Sequence, residues 1–259
     1  MSKSPIGFFD SGVGGTSVFK AVNKLLPNES TIYLADSANA PYGARGKDWI
    51  IARCIENTEL LLSYGCKIIV VACNTATTNA IKILRKTYNV PFIGIEPAIK
   101  PASLKTKTRA VGILATRGTL SSELFRKTTK LYCSDVYMVE QIGEGIVDLI
   151  ESGKLYSEEM TLLLQTYLKP MIKANIDYLV LGCTHYPYLV PQLKKLLPKE
   201  VKIIDSGKAV ANHTEAVLRA IHLLNETDKK PKHLFYSNGR IDVIQSLISK
   251  NAKVNYLDF

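Results

Sequence analysis

The chain has 259 residues, 46% of them hydrophobic, and its 33 Lys and Arg outweigh 23 Asp and Glu to give a formal charge of +10. That length allows one large domain or two smaller ones with an ample apolar core. No apolar run approaches the roughly 18 to 20 residues of a membrane span, and residues 1–15 lack a signal-peptide stretch, so a soluble cytoplasmic protein without a membrane partner is expected.

Taken in chain order, the apolar spacing predicts a strand over 6–9, a helix over 17–26, a strand over 31–35, a helix over 48–64, a strand over 68–72, a helix over 77–88 and a strand over 92–95. After Pro97 and Pro101 the rhythm restarts, with a strand over 110–114, a helix over 121–131, a strand over 136–139, helices over 144–151 and 157–172, and a strand over 178–181. A helix over 209–224 and a strand, helix and strand within 232–259 complete the chain. Strands alternating with helices indicate an α/β fold: two similar doubly wound domains with mainly parallel sheets. The expected division is 1–96 plus 209–259 for the first domain and 97–208 for the second, with strand ends facing each other across a cleft.

The positive charge is weighted towards lysines such as Lys194, Lys195, Lys229, Lys230 and Lys232. No zinc finger, recognition helix or aromatic RNA-binding signature accompanies them. They read as a solvated face whose field favours small anions, and nucleic acid is not expected as the main partner. The five cysteines are odd in number and contain no CxxC pair. Free thiols in a reducing compartment fit better than a disulfide framework.

Cys54, Cys66 and Cys133 read as small buried hydrophobes. Cys73 and Cys183 differ, because each directly follows a short apolar run (residues 68–72 and 178–182) and directly precedes hydrogen-bonding residues. Such runs are the mark of strands buried on both faces, and ligands of parallel sheets sit beyond the carboxyl ends of their strands. A free thiol is only slightly ionised at neutral pH, so a base or N–H donor must accompany it. Asp10, at the end of the first strand, could serve Cys73, and His185 could serve Cys183. Zinc is the competing use of Cys73, Cys183 and His185, but the close ligand spacing of such sites is missing.

The loop of residues 10–16 is glycine-rich and follows a strand, which suits close approach of backbone N–H groups to an anion, although a dinucleotide fingerprint would need glycine where Ser17 stands. Pro41 and Gly43 fix a second turn after a strand, over residues 36–43. Two facing thiols suit proton transfer at opposite faces of one carbon, one removing a proton and the other returning one. A racemase or epimerase without a cofactor requires such a pair.

The motifs FDSGVGG (9–15), DSANAPYG (36–43), ACNTAT (72–77), LATRGT (114–119), LGCTHYP (181–187) and DSG (205–207), in this order, closely resemble those of glutamate racemases in the aspartate/glutamate racemase superfamily. The resemblance runs over nearly the whole chain. It implies pyridoxal-independent interconversion of L- and D-glutamate, with no cofactor or metal, supplying D-glutamate for peptidoglycan. It further implies Cys73 and Cys183 as the acid/base pair and Asp10 and His185 as their assistants. Ser11, Tyr42, Gly43, Asn74, Thr75 and Thr184, with Asp10 and His185, would hold the substrate. Asp36, Glu151, Thr116 and Thr119 are further candidates, and a homodimer is left open. A racemase of aspartate or of a broader amino-acid set is the alternative within the superfamily, and a non-catalytic binding module the alternative outside it.

Overall fold

The computed structural model describes residues 2–227, 230–249 and 252–259, so Lys229 lies outside the described residues. The chain runs β1 (Ile6–Asp10), α1 (Thr16–Leu25), β2 (Thr31–Ala35), α2 (Lys47–Ser63), β3 (Ile68–Val71), α3 (Asn74–Thr87), β4 (Phe92–Gly94) and α4 (Ile99–Lys105). It continues with β5 (Ala110–Ala115), α5 (Arg117–Leu120), α6 (Glu123–Tyr132), β6 (Tyr137–Ile142), α7 (Ile146–Glu151), α8 (Glu158–Lys173) and β7 (Tyr178–Gly182). Last come α9 (Val190–Leu196), β8 (Lys202–Ile204), α10 (Gly207–Ala220), β9 (His233–Ser237), α11 (Ile241–Ile248) and β10 (Val254–Tyr256). No helix among the described residues is long and apolar enough to cross a membrane.

Two parallel sheets organise these elements, as the α/β rhythm of the sequence leads one to expect. The larger has the order β10-β9-β2-β1-β3-β4 and the smaller β6-β5-β7-β8, and their strand pairs are parallel. The two late strands pair back onto the first segment, β9 lying against β2 with Thr31 opposite His233. Runs such as Ile68–Val71 and Tyr178–Gly182 are wholly buried, because helices cover both faces of a parallel sheet. One buried apolar cluster continues from Ile6, Phe8 and Val70 in the larger sheet to Leu114, Leu179 and Leu181 in the smaller.

Several elements differ from the sequence expectation, each for a local reason. Helix α3 starts at Asn74 rather than 77, because Cys73 is extended and its Sγ accepts the Ala76 N–H at 3.4 Å, capping the helix. The helix expected over 121–131 is α6, and a separate short helix, α5, precedes it; each has its own cap. Thr116 Oγ1 accepts the Thr119 N–H at 3.3 Å to open α5, and Ser122 Oγ accepts the Phe125 N–H at 3.2 Å to open α6. The stretch holding Pro101 contains α4, since proline in a first helical turn forfeits no hydrogen bond. Strand β8 and helix α9 carry no sequence expectation; β8 is three residues long and only partly covered.

Candidate active site

Strand order decides where a ligand can sit. In the larger sheet β1 lies between β2 and β3, and in the smaller β5 lies between β6 and β7. At such switch points a crevice opens outside the carboxyl ends of the strands. Asp10 ends β1 and Cys73 follows β3; Thr116 follows β5 and Cys183 follows β7. The two crevices meet in one cavity. Ser11, Tyr42, Gly43, Cys73, Asn74 and Thr75 wall it from one side, and Thr116, Val147, Cys183, Thr184 and His185 from the other. The space between them is about 10 Å³, room for a single water.

Each thiol stands at the head of its own hydrogen-bonded relay. Cys73 Sγ donates to Ser11 Oγ at 3.6 Å, and Ser11 Oγ donates to Asp10 Oδ1 at 2.9 Å. Cys183 Sγ lies 3.7 Å from His185 Nδ1, and His185 Nε2 lies 2.6 Å from Glu151 Oε1, which also accepts the Val13 N–H at 2.7 Å. The relays touch where Thr184 Oγ1 donates to Asp10 Oδ2 at 2.7 Å. Two sulfurs thus share a cavity but not an electrostatic setting.

Burial pushes the Cys73 thiol up to about 12, helped by the Asp10 carboxylate and opposed by the hydrogen bond from the Ala76 N–H and the one shared with Ser11. Burial opposes charge on His185 as well, yet its hydrogen bonds to Cys183 and Glu151 outweigh that and hold the imidazole well above its ordinary value. A cationic ring beside Cys183 is the partner a thiolate needs. At the other relay, a helix supplies the positive end. The N–H groups that open α3 at Asn74 and Thr75 have no partner within the helix, and its dipole adds partial positive charge there. Asn74 is 3% exposed, and its Nδ2 has no hydrogen-bond partner among the described residues. Buried donors are nearly always paired, and this one faces the cavity without a protein acceptor among the described residues.

The chain matches the family model described as Asp/Glu/Hydantoin racemase over residues 6–214. The chain belongs to that family. With it, the protein is an isomerase of the racemase type. It is 44% identical over 248 residues to the glutamate racemase of Ectopseudomonas mendocina, covering 95% of this chain and 94% of the relative. Among solved structures, Escherichia coli glutamate racemase in complex with L-glutamate and the activator UDP-MurNAc-ala superposes with a TM-score of 0.87 at 29% identity, over 98% of both chains. Francisella tularensis glutamate racemase in complex with D-glutamate gives 0.85 at 28% identity, over 100% of this chain and 98% of that one.

In this racemase-family chain the remaining sequence candidates fall behind the cavity wall. Asp36 is fully buried and accepts hydrogen bonds from Tyr42, Asn39, Arg53 and Asn238. Thr119 is also fully buried, with its Oγ1 3.0 Å from Thr116 Oγ1, and Thr116 in turn lies 3.0 Å from Thr75 Oγ1. Glu151 reaches the site only through His185 and Val13. Val147 and Pro41 line the cavity; nothing in an apolar helix residue such as Val147 marks it beforehand, whereas the turn chemistry of Pro41 does. Among the described residues, no three His, Cys, Asp or Glu are grouped to hold a metal ion.

In the glycine-rich loop the Gly12 and Val13 N–H groups donate to the Asp10 and Glu151 carboxylates, and its glycines leave room for the relay side chains. A Cβ at Gly12 would stand 1.9 Å from Glu151 Oε1, at Gly14 2.2 Å from His185 Nδ1, and at Gly15 2.7 Å from Asp10 Oδ2. The missing side chains are the room into which the relay side chains fit.

Asp10 also makes stability depend on pH. Burial raises its carboxyl from 3.8 to about 6, against the lowering effects of His185, Thr184 and Ser11. The folded chain therefore holds this proton more tightly than the unfolded chain. Between about pH 4 and pH 6 the unfolded state ionises first, so stability falls as pH rises through that window and levels off above it. Asp10→Asn is expected to shrink the difference in urea midpoint between pH 4 and pH 7; an unchanged difference would assign the pH dependence to other groups.

Proposed function

We propose that the protein interconverts L- and D-glutamate by a two-base proton transfer between Cys73 and Cys183, without pyridoxal phosphate, and so supplies D-glutamate for peptidoglycan synthesis in the cytoplasm. The observation that carries this reading is that both sulfurs line one cavity, each with its own relay. Support for glutamate as substrate comes from related racemases solved with L-glutamate and with D-glutamate. We further read the chain as two domains, 1–96 plus 209–259 and 97–208, each supplying one thiol.

In this mechanism one sulfur enters as thiolate and removes the Cα proton. The other enters as thiol and delivers a proton to the opposite face. Each turnover exchanges their roles, and the reverse reaction uses them in the opposite order. Protons are then rebalanced through Ser11 and Asp10 on one side and through His185 and Glu151 on the other.

The α-proton of an amino acid is a very weak acid, so the site must favour the carbanion-like charge that develops. Three features contribute. The opening N–H groups of α3 and the Asn74 amide offer donors to a substrate carboxylate, which then carries the developing charge. The cationic His185 adds positive potential from the other half. Finally, the closed cavity excludes bulk water and keeps the local dielectric low. A five-carbon diacid does not fit a one-water cavity, so admission requires Gly43 and Thr75 to part from Thr116 and Gly118, which meet across its rim.

The test is polarimetry of purified protein with L-glutamate, with no pyridoxal phosphate or metal added, and a parallel run with L-aspartate. Decay of optical rotation to zero with glutamate, much faster than with aspartate, is the expected result. Preference for aspartate would reassign the substrate, and no change with either would overturn the reading.

A further inference from the structure

Behind the cavity wall lies a buried polar cluster whose hydrogen bonds run among Tyr42, Asp36, Arg53, Asn57 and Asn238 rather than to the thiols. Tyr42 lines the cavity, is 1% exposed, and its hydroxyl donates to Asp36 Oδ2. Asp36, fully buried at the end of β2, holds a full negative charge only if it is compensated. Its compensation is Arg53 on α2. Nε of Arg53 donates to Oδ2 at 2.9 Å and Nη2 lies 2.8 Å from Oδ1, a two-pronged pairing with a side chain only 13% exposed. Asn238, just past β9, donates to Oδ1 at 2.6 Å, and Asn57 Nδ2 donates to the Tyr42 hydroxyl at 3.2 Å. Among the described residues, Arg53 is therefore the single cation in contact with the carboxylate that fixes Tyr42.

We propose that Arg53 is a positioning residue of the reaction cavity, acting through Asp36 on Tyr42 and Gly43. The inference rests on the assignment of that cavity to glutamate racemisation. Without the guanidinium, the buried carboxylate loses its two-pronged partner and turns towards other donors or water, which removes the acceptor that holds the tyrosine. The wall formed by Tyr42 and Gly43 then loosens while the two thiols and their relays stay in place. Substrate binding bears the loss more than the proton-transfer step does. Lysine is a poor replacement, since a single ammonium cannot reproduce the planar fork.

Trp49, the chain's single tryptophan, reports on this wall directly, because its ring packs edge-on against Tyr42 with centroids 5.3 Å apart. The experiment compares wild type, Arg53→Lys and Arg53→Met in glutamate kinetics, Trp49 emission and thermal unfolding. The expected result for Arg53→Lys is a folded protein whose KM rises about tenfold, equivalent to about 1.4 kcal/mol of binding, with kcat within about twofold of wild type and a shifted Trp49 emission. Arg53→Met, if it folds, moves further in the same direction. Unchanged KM and unchanged Trp49 emission in Arg53→Lys would overturn the proposal, as would a fall in kcat alone. A wild-type protein that fails to racemise glutamate would instead count against the racemase assignment, and the Trp49 emission of the variants would still decide whether Arg53 holds Tyr42.

Discussion

Cys73→Ala and Cys183→Ala are each expected to lower glutamate racemisation by about 10²- to 10⁴-fold or more in both directions, the range that loss of a positioned acid or base produces. A two-base reaction has no spare group: the face left without its sulfur can neither lose nor gain a proton, whichever enantiomer enters. Both sulfurs are buried and neither forms a disulfide. Truncation to alanine removes one atom from each, so thermal midpoints should move by only a few degrees. The two variants should nonetheless differ in kind, because Cys73→Ala removes a partner of Ser11 whereas Cys183→Ala removes a partner of His185. Measuring kcat/KM from both enantiomers, alongside thermal unfolding, checks the prediction. Wild-type turnover by either variant would mean that its sulfur is not an acid or base of the reaction.

Gly14→Ala is expected to reduce kcat/KM by about 10²-fold or more, the scale of loss from an ångström of misplacement in a catalytic group. The added Cβ would sit 2.2 Å from His185 Nδ1 and 2.6 Å from its Cγ. Such separations force a shift, and His185 is poorly placed to give way, being 1% exposed and held by Glu151 at 2.6 Å. The atom displaced is the one that faces Cys183, so the loss should fall on kcat. Gly46→Ala is the matched control, because nothing lies within 4 Å of a Cβ there, and its activity should equal that of wild type. Equal activity of Gly14→Ala and Gly46→Ala would show that the Nδ1 position of His185 is immaterial to the reaction.

Much of this architecture is legible in the sequence because parallel strands buried on both faces have few ways to be written. The runs ending at Cys73 and Cys183 are uninterrupted by polar residues, and residues at the carboxyl ends of such strands point to the ligand. The placement of both thiols and Asp10 at strand ends could be read for that reason, and the nearness of His185 to Cys183 from its position two residues on. Direction was harder. Asp36 stands just past a strand much as Asp10 ends one, but its carboxylate turns back to Arg53 and Tyr42, and only the packing of α2 reveals it. The same holds for Glu151, whose contact with His185 joins the end of α7 to the turn after β7, 34 residues apart. Short caps escape periodicity altogether. One hydroxyl at Ser122 and one sulfur at Cys73 decide where α6 and α3 begin, and a window of apolar spacing averages over both. Strand β8 is too short and too exposed to leave a pattern of its own.

The central claim, that two different sulfurs handle the proton on opposite faces of Cα, is tested most directly by racemisation in D₂O stopped early in turnover. With L-glutamate as substrate, mass spectrometry of each separated enantiomer should find deuterium at Cα in essentially all of the D-glutamate formed, while recovered L-glutamate remains protiated. The proton is taken by one sulfur and replaced from another that has equilibrated with solvent. D-glutamate that retains the original protium would mean that a single group carries the proton from face to face, and the paired-thiol account would be wrong.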